Sequence, residues 1–198
     1  HEGATTAVTP DGRAVVYMGE DARFEYIYKF VSRDAIKPGG FAANATLLDH
    51  GTLYVAQFAE DGTGQWLALT HGQGPLTAAN GFLDQGEVVI KARQASDLLG
   101  GTKMDRPEWI SVAQDGWVYC TLTNNSNRGA DKQPATNKAN PRALNTMGHI
   151  IRWKEKGDFA GTTLAWNHFV LAGDPSLDRA DAKGNIKGDI FACPDGLW

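Results

Sequence analysis

Short runs of apolar, β-branched and aromatic residues recur along this chain, separated by polar segments built on Asp-Gly and similar turn pairs. Gly3 to Val8 and Ala14 to Met18 flank Pro10-Asp11-Gly12, a pattern that predicts a hairpin. Phe24 to Val31 alternates in its middle, as a strand with one buried and one wet face does, so it adds a third antiparallel strand. A second unit follows the Pro38-Gly39-Gly40 loop: Thr46 to Leu48 and Thr52 to Phe58 flank His50-Gly51, and Gln65 to Leu69 follows Asp61-Gly62. A third unit repeats the first, with Trp109 to Ala113 and Trp117 to Leu122 on either side of Asp115-Gly116. After a long polar loop from Thr123 to Gly148 come His149 to Trp153, then Thr163 to Trp166 with Phe169 to Leu171. Ile190 to Trp198 reads as a turn opening into a further strand.

One helix interrupts this series. Asp84 and Glu87 have capping-box spacing, Val88, Ala92, Ala95 and Leu99 share a face, and Gly100-Gly101 offers a left-handed stop. It reads as an insertion packed on the sheet edge. Repeated short antiparallel strands with matching turns predict an all-β chain, a β-propeller in preference to a β-sandwich. Two or three units are fewer than a whole ring, and patterned sequence reaches both ends. The expectation is therefore a partial propeller domain over residues 1–198, part of a longer protein.

Composition narrows the function classes. The 198 residues are 42% hydrophobic with a formal net charge of −4 and both signs scattered, which gives no basic nucleic-acid footprint. No apolar run is long enough to cross a bilayer as a helix, and no basic amphipathic helix suggests stable membrane insertion. Cys120 and Cys193 fit no zinc or iron–sulfur spacing and leave the question of a disulfide open.

The candidate chemistry centres on Asp105-Arg106-Pro107-Glu108-Trp109. Pro107 forbids a helix and biases Arg106 towards an extended backbone, presenting a cation and a carboxylate at the mouth of a strand. In a blade of alternating strands, the loop leading into the first strand and the loop joining the second to the third emerge on one face. Asp11 and Asp115 then lie on the opposite face, where they serve turn geometry. Glu2, Glu108 and Asp195 occupy the leading positions of three units. Three converging carboxylates would repel one another and raise each other's pKa, so such a cluster implies bound cations, and oxygen donors suit calcium, magnesium or ferric iron. Each carboxylate can instead pair with a neighbouring arginine or cap a strand, the commoner fate for such residues, and spacing does not decide. Arg106 can clamp a phosphate through its planar fork, or form a salt bridge with Asp105 or Glu108. Weaker substrate-binding candidates are His1, Asn124, Asn125, Arg128 and Arg142. Asn145, Glu20, Asp21 and Glu25 share their loop setting, which is also what ordinary surface loops contain.

Several stretches closely resemble the PhoX family of bacterial alkaline phosphatases: Arg106 to Trp109, Tyr119 to Arg128, Gly148 to Trp153, and Pro194 to Trp198. His1 to Ala4 and Glu25 to Val31 fit as well, so the likeness spans nearly the whole chain, in the manner of the C-terminal half of the family's domain. The resemblance implies a six-bladed propeller whose central face holds iron and calcium ions, and hydrolysis of phosphomonoesters. It implies export to the periplasm or the extracellular space, by the twin-arginine route. It makes Glu2, Glu108 and Asp195 metal ligands and Arg106 the phosphate-contacting residue. The family's cysteine iron ligand falls outside this stretch, so neither Cys120 nor Cys193 takes that part. The implied partners are phosphomonoester substrates and the remaining half of the same propeller. A non-catalytic propeller binding module stabilised by calcium is the alternative.

Overall fold

The computed structural model describes residues 2–198, and the candidate His1 lies outside them. Nine strands form one antiparallel sheet: β1 (Gly3–Val8), β2 (Arg13–Gly19), β3 (Ile27–Ala35), β4 (Gly51–Phe58), β5 (Thr63–Ala68), β6 (Pro107–Val112), β7 (Val118–Leu122), β8 (His149–Glu155) and β9 (Thr163–Leu171). Their spatial order is β1-β2-β3-β4-β5-β9-β8-β7-β6. The chain thus makes two meanders, β1 to β5 and β6 to β9, joined where β5 and β9 pair from Thr63↔Ala165 to Gln65↔Thr163. The two units expected before residue 70 are one continuous meander, because β3 pairs directly with β4 from Tyr28↔Val55 to Ser32↔Gly51.

At the other end the sheet nearly closes, β1 and β2 lying against β6. Two glycines make this possible. Gly3 and Gly19 are register partners across β1 and β2. A Cβ on Gly3 would stand 2.9 Å from the Trp109 Cα, and one on Gly19 would overlap the Glu108 carbonyl oxygen. Backbone therefore rests on backbone at this seam.

The core lies between the meanders. Val15, Tyr17, Ile27, Phe58 and Trp66 from one interdigitate with Ile110, Val118, Leu122, Ile151 and Trp153 from the other. This is the period-2 pattern of each strand placing alternate residues inward. The Asp-Gly turns behave as predicted. Gly12 and Gly116 both take φ of 84°, Asp11 accepts from the Thr9 hydroxyl and from Arg13 Nε, and Asp115 Oδ1 accepts from the Trp117 amide.

The inserted helix is two: α1 (Gln85–Ile90) and α2 (Ala92–Leu99), broken at Lys91, whose φ of −98° and ψ of 33° leave the helical region. Asp84 Oδ1 accepts from the Glu87 amide at 2.8 Å, so the N-cap is as expected, and Gly100 closes α2 at φ 77°. Val88 and Ala95 pack on Tyr26, Tyr28 and Val55, which places the helices on the outer face of the first meander rather than on its edge. No helix among the described residues is long and apolar enough to cross a membrane.

Other expectations change for identifiable reasons. Phe24 to Tyr26 do not extend β3, because Phe24 holds φ 67° and breaks the strand. Thr46 to Leu48 form turns, with Leu47 N bonded to Asn44 O and Asp49 N to Thr46 O, since β4 already has β3 and β5 as neighbours. They follow a short helical turn, Gly40–Asn44, closed by bonds from Asn44 to the Lys37 backbone. The two pieces after residue 163 are the single strand β9. Ile190 to Trp198 form no strand: Phe191 and Cys193 bond the backbone of Gly173 and Met147, Asp195 reaches Thr121 of β7, and the Trp198 ring lies 5.4 Å from that of Trp109 in β6.

Candidate metal and phosphate site

The seam between β1, β2 and β6 brings separate loops together. Glu2 is held by its amide, which donates to the Gly19 carbonyl at 2.9 Å. Asp21 follows β2 by two residues, and Glu108 sits at the start of β6, its side chain only 3% exposed. Ligand oxygens of Glu2, Asp21 and Glu108 all lie within 4.8 Å of one another. Burial, then the charges of Asp21 and Asp195, push the Glu108 carboxyl up to about 8, against the pull of Arg106. Asp21 Oδ1 is buried and has no hydrogen bond, although Arg106 Nε stands 2.9 Å away. Three crowded carboxylates, one of whose oxygens accepts no hydrogen bond, form a set of hard oxygen donors that fits a hard cation, with the Arg106 guanidinium alongside.

Arg106 spans this cluster. Its Nη2 donates to Asp21 Oδ2 at 3.0 Å and stands 3.5 Å from Glu108 Oε1. Its Nη1 reaches Asn124 Oδ1 at 3.5 Å. The backbone is not extended as Pro107 suggests: φ is 57°. Tertiary bonds override the local bias, with the Arg106 carbonyl accepting from the Thr123 amide and Asp105 bridged to Arg23. Arg106 thus pairs with Glu108, as expected, and more closely with Asp21.

The structure brings Glu2, Glu108, Arg106 and Asn124 together. Asp195 is near enough to raise the Glu108 carboxyl but lies outside the 4.8 Å group, its carbonyl accepting from Thr121 Oγ1 at 2.6 Å. Asn125, Arg128 and Arg142 are buried behind the site. Asn125 and Arg128 bond Asp105, and Arg142 donates to the carbonyls of Ala172, Lys183 and Gly148. Asp21 is the residue that sequence reasoning left among ordinary loop positions. Its loop joins the second strand to the third, on the face where the leading carboxylates converge, and that rule alone could have singled it out. Glu25, from the same loop, turns away to Arg93 at 2.7 Å. Cys120 and Cys193 are free; burial pushes the Cys120 thiol up, so it stays protonated.

A family model described as alkaline phosphatase PhoX matches residues 1–198. Among solved structures the chain is similar to Pseudomonas fluorescens PhoX in complex with vanadate, a transition state analogue, with a TM-score of 0.93 and 50% sequence identity. That match covers 100% of this chain and 36% of the other, so the chain spans about a third of the relative's length. No curated protein matches. The chain belongs to the PhoX alkaline phosphatase family.

Proposed function

We propose that this chain is the part of a phosphomonoester-hydrolysing metalloenzyme that supplies a phosphate-binding arginine and the carboxylates of its metal cluster. One observation carries the reading: Arg106 is bracketed by Asp21 and Glu108 inside a group of three carboxylates whose oxygens lie within 4.8 Å. The relative bound to vanadate supports phosphate esters as the substrate class.

In this reading Glu2, Asp21 and Glu108 hold cations of the calcium or ferric type, with Asp195 at the periphery. Such cations supply positive charge against the phosphoryl oxygens and acidify a water. The chain's own contribution is geometric. Arg106 offers its fork to two phosphoryl oxygens, where charge builds in the transition state. Asp21, which accepts from that fork here, gives up part of the arginine when the anion arrives. Asn124 fixes the outer edge of the guanidinium. Asn125, Arg128 and Arg142 make no substrate contact, since their donors serve the fold. The two face-to-face meanders are neighbouring blades of a larger propeller, and the export expected of the family accompanies this reading.

In the full-length protein, Glu108→Gln is expected to abolish hydrolysis of a generic phosphomonoester and to lower metal content by elemental analysis. Unchanged activity would sink the assignment. Chelation separates the enzyme from a calcium-stabilised binding module: the enzyme loses hydrolysis while keeping its fold, whereas the module has no hydrolysis to lose and unfolds.

A further inference from the structure

Behind the site, a buried layer joins the two segments that carry Asp21 and Arg106. Arg128 is its centre, only 1% exposed. Its Nε donates to Asp105 Oδ1 at 2.8 Å, Nη2 to the Lys103 carbonyl at 2.7 Å and Nη1 to the Ala135 carbonyl at 3.2 Å. The guanidinium also lies over the Phe24 ring, 4.9 Å from its centroid. Asp105 accepts further bonds from Asn125 Nδ2 at 3.0 Å and Asn145 Nδ2 at 3.1 Å, so both its oxygens are engaged.

The two segments run antiparallel. Phe24 N donates to the Met104 carbonyl at 2.9 Å, Met104 N to the Glu25 carbonyl at 2.8 Å, and Arg23 bridges Asp105. Each segment also carries a non-glycine residue at positive φ, Phe24 at 67° and Arg106 at 57°. Such backbones are strained and persist only where their surroundings over-determine them. Arg128 touches the first of these residues through its ring and the second through the carboxylate immediately before it. A planar guanidinium can stack and fork at once, which an ammonium cannot.

We propose that Arg128 is a positioning residue: without touching substrate, it sets the placement of Arg106 relative to Asp21, and so of the phosphate clamp relative to the carboxylate cluster. The inference rests on the functional reading above.

Two variants of the full-length protein test it. Arg128→Lys keeps a cation for Asp105 but loses the stacking plane and the fork. Phe24→Gly frees the backbone and removes the ring while leaving the Arg128–Asp105 pair. The readouts are the inhibition constant of inorganic phosphate, KM and kcat for a phosphomonoester, and the chelator concentration that strips calcium. Because small misplacements in a catalytic constellation cost up to about 100-fold, both variants are expected to raise the phosphate inhibition constant by about tenfold or more. Both should also release calcium at lower chelator concentration. Val88→Ala, a core variant in α1 chosen to match the loss in Tm, should leave the phosphate constant unmoved. If the two site variants lose Tm like Val88→Ala yet keep the phosphate constant within about twofold of wild type, Arg128 is structural only and the proposal falls. Should Arg128→Lys not fold, Phe24→Gly decides. A wild type that neither hydrolyses phosphomonoesters nor binds phosphate overturns the functional reading and this inference with it.

Discussion

Lys29→Met should destabilise the protein severely, because Lys29 and Glu155 form a buried ion pair between the meanders. Their side chains are 0% and 2% exposed and their charged atoms 3.6 Å apart. At an effective dielectric constant of about 20, that separation corresponds to roughly 5 kcal/mol of attraction. Glu155 Oε1 also accepts from Tyr17 Oη at 2.8 Å and from the indoles of Trp66 and Trp153 at 3.1 and 3.2 Å, while Oε2 is buried with no hydrogen bond. Lys29 Nζ donates to the carbonyls of Phe159 and Gly161 at 3.1 and 2.7 Å and lies 4.8 Å from the Trp66 ring centroid. Methionine retains the volume but strands a buried carboxylate and two carbonyls, so the expected loss is about 3–5 kcal/mol. Adding Glu155→Gln removes the stranded charge while leaving an oxygen for Tyr17 and the indoles. The double variant should therefore recover about 2 kcal/mol relative to Lys29→Met. Urea unfolding followed by tryptophan fluorescence reads both, since Trp66 and Trp153 contact the pair. A Lys29→Met protein within about 1 kcal/mol of wild type, or two strictly additive substitutions, would refute the argument.

Three further outcomes follow from the same geometry. Burial outweighs the pull of Glu155 and holds the Lys29 amine at about 8, below its ordinary 10.5, and the neutral amine, unlike methionine, still donates to the carbonyls of Phe159 and Gly161. Between these values the unfolded chain binds more protons than the folded one. Stability should therefore climb with pH from about 8 towards 10, at up to about 1.4 kcal/mol per unit, and be lost again as pH falls through 8; urea titrations at several pH values should show the slope in wild type and not in Lys29→Met. Above 10 the hydroxyls of Tyr17, Tyr26 and Tyr28, pushed up chiefly by burial, oppose the trend. Gly19→Ala would drive a methyl group into the Glu108 carbonyl and to 3.0 Å from that of Pro107. It is expected to cost about 1–3 kcal/mol and to lower bound metal, measured by elemental analysis. Asp84→Ala removes the bond to the Glu87 amide and should cost about 1 kcal/mol in denaturant while leaving the phosphate inhibition constant unchanged.

Features stabilised within a few residues were legible beforehand. The Asp11-Gly12 and Asp115-Gly116 turns and the Asp84 cap depend on bonds reaching two or three positions along the chain. The strand run ending at Val31 was legible for a similar reason, since alternation between two faces is a property of neighbouring residues, and Ile27 and Val31 of β3 do point into the core. Misreadings fall where distant contacts outweigh local preference. Phe24 lies in an alternating run but takes a positive φ against Met104 and Arg128, and Arg106 departs from the pre-proline bias in the same layer. Arg128 and Asn125 look like loop donors for a ligand until the fold turns them inward onto Asp105.

An antiparallel chain of short strands, its turns and its helical insertion can be read directly from the residue pattern, and long motifs such as Arg106 to Trp109 carry the family. That Asp21 joins Glu2 and Glu108 around Arg106, while Asp195 stands apart, is a consequence of how the strands pack. The reason is the seam at Gly3 and Gly19: it lets β6 lie directly on β1 and β2, and a contact between backbones remote in sequence leaves no periodic signature along the chain.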